Sequence, residues 1–149
     1  MQSQGSGPVE LDDLGRTQAF RGVRELFIAN ASAPVRAIAL VSDFEELVAV
    51  GPDTIVLLSP VVARGGWMIS AALRYAWERR ACALLVPEQS ISDTVIELSR
   101  RLGVTLLASE RDMTGLALDI AIHLGITRAG SLASLRELTK QLAQSTEVG

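Results

Sequence analysis

Four short apolar runs, Ala37 to Val41, Thr54 to Leu58, Ala83 to Val86 and Val104 to Ala108, restrict this chain to a narrow set of architectures. Each is continuous rather than alternating, the pattern of a strand buried on both faces of a sheet. Segments of helical period lie between and after them. Asp43 to Val50 is short, with Phe44, Leu47 and Val48 on one side. Gly66 to Arg80 carries Ile69, Ala72, Leu73 and Ala76 on one stripe. Ser92 to Leu102 groups Val95, Leu98 and Leu102, with Gly103 placed to end the helix. Asp112 to Leu124 groups Met113, Leu116, Ala117, Ile120 and Leu124, with Asp112 or Ser109 as the cap. The alternation predicts an α/β fold: a mainly parallel sheet of about four strands, covered by helices in three layers.

The flanks divide the chain further. Residues 1–16 open with a Gly-, Ser- and Gln-rich stretch that has nothing to bury, and are expected to be a disordered lead-in. The α/β domain is expected over residues 17–127. It begins with a helix from about Thr17, in which Phe20, Val23, Leu26 and Phe27 fall at helical spacing. Residues 128–149 are expected to form a connector helix toward a downstream domain, with Leu135, Leu138 and Leu142 spaced along one side.

Composition excludes several function classes. The 149 residues are 48% hydrophobic with a net charge of -3, enough to bury a core and poorly suited to neutralising phosphates. The chain is therefore not expected to bind nucleic acid by itself. No run approaches the ~20 apolar residues that cross a bilayer, and no secretory leader is visible, so a cytoplasmic location is expected. Cys82 and His123 are the only residues of their types, which rules out a multi-histidine or His–Cys–Cys metal site. No metal, no cofactor and no catalytic residue is expected, and a non-enzymatic role follows.

Open parallel sheets bind ligands beyond the carboxyl ends of their strands. The loops there contain Ser42, Ser59, Arg64-Gly65-Gly66, Pro87 to Ser90 and Glu110-Arg111-Asp112. Arg64 offers a fork of donors beside two glycines that open a helix, which suits either an anion or a tight turn. Glu110-Arg111-Asp112 is either part of the same rim or a solvated helix cap. The expected ligand-binding residues are Ser42, Ser59, Arg64, Gly65, Gly66 and Arg111. A receiver-like phosphorelay role fails, because the third apolar run ends in Val86-Pro87 where that chemistry needs an aspartate, and the only lysine is Lys140. Cys82, at the start of a buried run, is read as a small hydrophobe beside the weaker alternative of a thiol activated by Arg79 and Arg80. Trp67, Tyr75 and Trp77 share one helix, either packed on Phe20 and Phe27 or forming an interface edge.

Phe20 to Leu26, followed by Pro34-Val35-Arg36-Ala37-Ile38, resembles the opening of the N-terminal sensory domain of PucR-type (purine catabolism regulator-like) bacterial transcription factors. Phe44 to Gly51, Thr54 to Leu58, Tyr75 to Val86, Leu98 to Leu107 and Glu110-Arg111-Asp112 are similar to later segments of that domain, in order. Arg80 stands where the family tends to have glycine, and Ser59-Pro60 replaces its threonine- and glycine-rich strand end. The resemblance implies a domain that senses an unknown small-molecule effector for transcription control, here without its DNA-binding part. The other reading is a ligand-free protein–protein interaction or dimerisation module. A homodimer is expected in either case, paired through helices: the Leu135-Leu138-Leu142 seam or the aromatic edge of the 66–80 helix.

Overall fold

The computed structural model describes residues 9–125. All four apolar runs become strands: β4 (Ala37–Val41), β5 (Thr54–Leu58), β6 (Ala83–Pro87) and β7 (Leu106–Ser109). They are parallel and adjacent in chain order, with Val41 level with Leu58, Leu57 with Leu85 and Leu85 with Leu107. Every residue of β5, β6 and β7 is buried, which explains why those runs do not alternate.

The sheet has five strands rather than four. β2 (Val23–Phe27) pairs antiparallel with β7 and completes the order β2-β7-β6-β5-β4. The helix expected from Thr17 is therefore replaced by a 3₁₀ turn over Gln18–Phe20 and this edge strand. The same apolar spacing serves both geometries. On a helix Val23 and Leu26 would share a face; on β2 they lie on opposite faces and pack into the two separate cores. Gly22 divides the turn from the strand at φ +82°, a left-handed backbone that would have stopped a helix.

The expected lead-in needs correction over residues 9–16, while residues 1–8 lie outside the described residues. β1 (Val9–Glu10) pairs with β3 (Pro34–Val35), and α1 (Leu11–Gly15) buries Leu11 and Leu14 under the sheet. Two apolar residues three apart suffice to anchor this segment, a signal that the neighbouring Gly, Ser and Gln residues obscured.

The helices follow the sequence closely. A 3₁₀ turn over Phe44–Ala49 opens on Asp43, which with Glu46 forms a reciprocal capping box. α2 (Gly66–Arg79) buries Ile69, Ala72, Leu73 and Ala76. α3 (Asp93–Leu102) starts on the Ser92 hydroxyl and ends on Gly103 at φ +76°. α4 (Met113–His123) starts on the Asp112 carboxylate, which accepts from Gly115 N–H at 2.8 Å. The turn, α2 and α3 all cover one face, because each step from β4 to β7 moves one strand in the same direction with one crossover hand. α1 and α4 cover the other face, giving three layers. None of the described helices is long and apolar enough to cross a membrane. The Leu135-Leu138-Leu142 seam lies outside the described residues.

Arg80 caps α2 in the left-handed conformation, φ 62° and ψ 35°, which glycine adopts without steric cost. Because the Arg80 side chain is exposed, Arg80→Gly is expected to stabilise the domain by about 0.5–1 kcal/mol. Urea denaturation should show a higher midpoint with an unchanged slope.

Candidate functional site

The connections leaving the carboxyl edge do not all turn the same way. Those after β4, β5 and β6 pass over the α2–α3 face, whereas the one after β7 passes to α4 on the other. Adjacent strands whose connections part in this way leave a crevice between them. Among the four parallel strands that crevice lies between β6 and β7.

A cleft of about 450 Å³ occupies this position, lined by Gly22, Arg24, Glu88, Glu110 and Arg111. Its volume is within the ~300–1,000 Å³ of small-molecule sites. Arg24, on β2, reaches across the end of β7 to Glu88, just after β6, and its Nε donates to the carboxylate at 3.0 Å. A second guanidinium nitrogen, Nη2, donates to the same oxygen. This bond raises the Arg24 pKa above its ordinary value. The pair is solvent-accessible and contributes little to stability.

The floor is more rigid. The buried Ser109 hydroxyl donates to the Gly22 carbonyl at 2.9 Å and accepts from Arg111 N–H at 3.0 Å. Arg111 Nη1 donates to the Ala19 and Arg21 carbonyls at 3.2 and 3.0 Å, and Nη2 donates to Asp119. A Cβ on Gly22 would come within 3.1 Å of Arg111 Cδ, so glycine is needed there for space as well as for φ. Arg111 thus forms a wall of the cleft while tying the 18–21 turn to α4. Behind it lies a second hollow of about 320 Å³, lined by Gln18, Ala19, Arg21, Asp119, Ile122 and His123.

The sequence-predicted residues fall into two groups. Ser42, Ser59, Arg64, Gly65 and Gly66 gather beyond β4 and β5, two to three strands or roughly 10–14 Å from Arg111 at the spacing of a sheet. Ser59 N–H donates to the Val41 carbonyl at 2.9 Å, and its hydroxyl accepts from Val61 N–H at 3.1 Å in a local turn. Ser42 N–H donates to Glu46 at 2.8 Å. Gly65 caps α2 in extended backbone, φ -137°, so neither glycine of the pair adopts a left-handed turn conformation. Arg64 is exposed and makes no ion pair among the described residues. Of the six, Arg111 alone lines the cleft. Glu88 and Glu110 lie in strand-end loops that the sequence brought into view, Glu110 as a rim candidate weighed against a solvated cap, whereas Gly22 and Arg24 were not singled out. Gly22 and Arg24 were concealed by the helical reading of residues 20–27, since only an antiparallel β2 brings them to the carboxyl edge.

Cys82 is buried, and burial pushes its thiol pKa up to about 12, which leaves it protonated and unreactive at neutral pH. Trp67 and Trp77 are exposed, and Phe44, not Phe20 or Phe27, is the aromatic neighbour of Trp67, at 6.1 Å between ring centres. His123 is exposed in the last turn of α4. The described residues contain no cluster of three or more metal-ligating side chains.

No family model and no curated protein matches the chain. A solved structure similar in fold comprises the CBS and DRTGG domains of the regulatory region of Clostridium perfringens pyrophosphatase, complexed with its activator diadenosine tetraphosphate. The likeness has a TM-score of 0.56 and 18% identity, and covers 77% of this chain and 47% of that one. The chain therefore spans about half the length of this neighbour, and the likeness establishes a shared fold.

Proposed function

We propose that this chain is a regulatory, small-molecule-sensing domain of PucR type, with its effector held in the β6–β7 cleft. The observation that carries the reading is the coincidence of a polar cleft with the position where the strand connections part. Two arginines and two glutamates line it, so the ligand class that fits presents hydrogen-bond donors and acceptors together, as nucleobases, ureides and amino acids do. The resemblance of residues 20–124 to purine-responsive regulators and the regulatory origin of the structural neighbour support the same class. Control of transcription then belongs to a DNA-reading partner domain, and the described core supplies the sensor.

A thermal-shift screen against nucleobases, ureides, amino acids, short carboxylic acids and diadenosine tetraphosphate tests the reading. A ligand at 100 times its Kd adds about 2.7 kcal/mol to the folded state and raises the midpoint accordingly. Arg24→Ala is expected to abolish the shift while leaving the unliganded midpoint nearly unchanged, because Arg24 is exposed. A hit that binds Arg24→Ala as well as the parent chain would place the site elsewhere. The interaction-module reading rests on the exposure of Trp67 and Trp77, and gains if no compound in the screen shifts the midpoint.

A further inference from the structure

The hollow of about 320 Å³ between the 18–21 turn and α4 shares no lining residue with the β6–β7 cleft. Its walls are held in place by one guanidinium. Arg111 Nη1 donates to the Ala19 and Arg21 carbonyls on the turn, and Nη2 donates to the Asp119 carboxylate on α4. Gly22, at φ +82°, turns the chain directly after Arg21 and so fixes where the turn ends. On α4, Asp119, Ile122 and His123 stand at i, i+3 and i+4 and share one exposed face, while Leu116, Ala117 and Ile120 pack into the core. The hollow is therefore shaped by contacts that need no ligand.

Its polar groups divide by what already engages them. The acceptors are taken, because Arg111 holds both turn carbonyls and offsets the charge of Asp119. The donors are not. Arg21 gives only its carbonyl to that network, and among the described residues its guanidinium makes no ion pair, unlike those of Arg16, Arg24, Arg36 and Arg111. The Gln18 amide and the His123 imidazole add further donors to the same lining. A surplus of donors calls for an anion, and a guanidinium fork takes a carboxylate through two parallel bonds. Ile122, 55% exposed, brings apolar surface to the hollow beside Ala19. We propose that this hollow is a second small-molecule site, for an organic carboxylate with a short apolar body. The carboxylate meets Arg21, with Gln18 and His123 beside it, and the body lies on Ile122 and Ala19. The volume stands at the low end of the ~300–1,000 Å³ of small-molecule sites, which suits a small acid better than a nucleotide. The assignment holds whether or not the cleft binds an effector.

Titrating isovalerate into the isotopically labelled full chain is expected to move the backbone amides of Gln18, Ala19, Arg21, Ile122 and His123, and to leave those of Arg24, Glu88 and Glu110 in place. Isovaleramide, which keeps the shape without the charge, should bind about tenfold more weakly or worse. Acetate, which keeps the charge without the apolar body, should lose a similar factor of about ten. Arg21→Gln is expected to weaken isovalerate binding about tenfold with the unliganded midpoint unchanged, because the side chain is exposed. Arg24→Ala should bind isovalerate as the parent does, so failure of this site and failure of the cleft are read separately. No movement of the five amides overturns the proposal, as do shifts confined to the cleft residues, equal binding of isovaleramide, or unweakened binding by a folded Arg21→Gln. If Arg21→Gln does not fold, the comparison of isovalerate with isovaleramide on the parent chain decides.

Discussion

Leu14→Ala is expected to lower the unfolding free energy by about 2–5 kcal/mol, the range for emptying a fully buried leucine site. Leu14 is 0% exposed and belongs to the same core as Leu11, Phe20, Val35, Met113 and Leu116, beneath the face covered by α4. The effect is large because α1 is a single turn with little stability of its own, held by side-chain burial and by two backbone bonds. Those are Leu11 N–H to Ala33 and Asp12 N–H to Ala31, both 2.8 Å. The solvent-facing Glu10→Ala, in the same segment, should stay within about 0.5 kcal/mol. Equilibrium urea unfolding of both variants checks this. A Leu14→Ala protein as stable as the parent would mean that residues 9–15 are an appendage and that the domain begins near residue 17.

Arg111→Ala is expected to cost about 1–3 kcal/mol, the scale for losing hydrogen bonds from a charged, mostly buried donor, one of them to a part-buried carbonyl. Three acceptors lose their partner together: the Ala19 and Arg21 carbonyls and the Asp119 carboxylate. Arg111→Lys should recover only part of the loss, because an ammonium cannot reproduce a planar fork aimed at three fixed oxygens. The variant also separates two roles of the residue. Arg24→Ala is expected to impair binding with little effect on stability, whereas Arg111→Ala should impair both. Paired denaturation and binding measurements on the two variants distinguish a cleft wall from a surface charge.

Much of the framework was legible because its signals are local. Continuous apolar runs of strand length, Ser92 and Asp112 as caps and Gly103 at a left-handed helix end each specify their element within a few residues. What escaped depends on partners distant in sequence. β2 has the apolar spacing of a helix, and only the open hydrogen-bonding edge of β7, more than eighty residues later, makes it a strand. α1 is anchored by Ala31, Ala33 and Val35 rather than by its own composition. The strand-end rule points to the carboxyl edge, where the cleft opens, but does not distinguish the two ends of that edge. That choice depends on which face each helix covers, and α4 reveals its face only when packed.

The central claim, that the effector site is the β6–β7 cleft, is tested most directly by titrating the first compound from the thermal screen into isotopically labelled protein and following backbone amide shifts. The account predicts that the largest shifts fall on Gly22, Arg24, Glu88, Glu110 and Arg111, with smaller ones passing through Arg111 to Ala19 and Asp119. Shifts concentrated instead on Ser42, Ser59, Gly65 and Gly66, with the cleft amides unmoved, would contradict it and place recognition at the ends of β4 and β5.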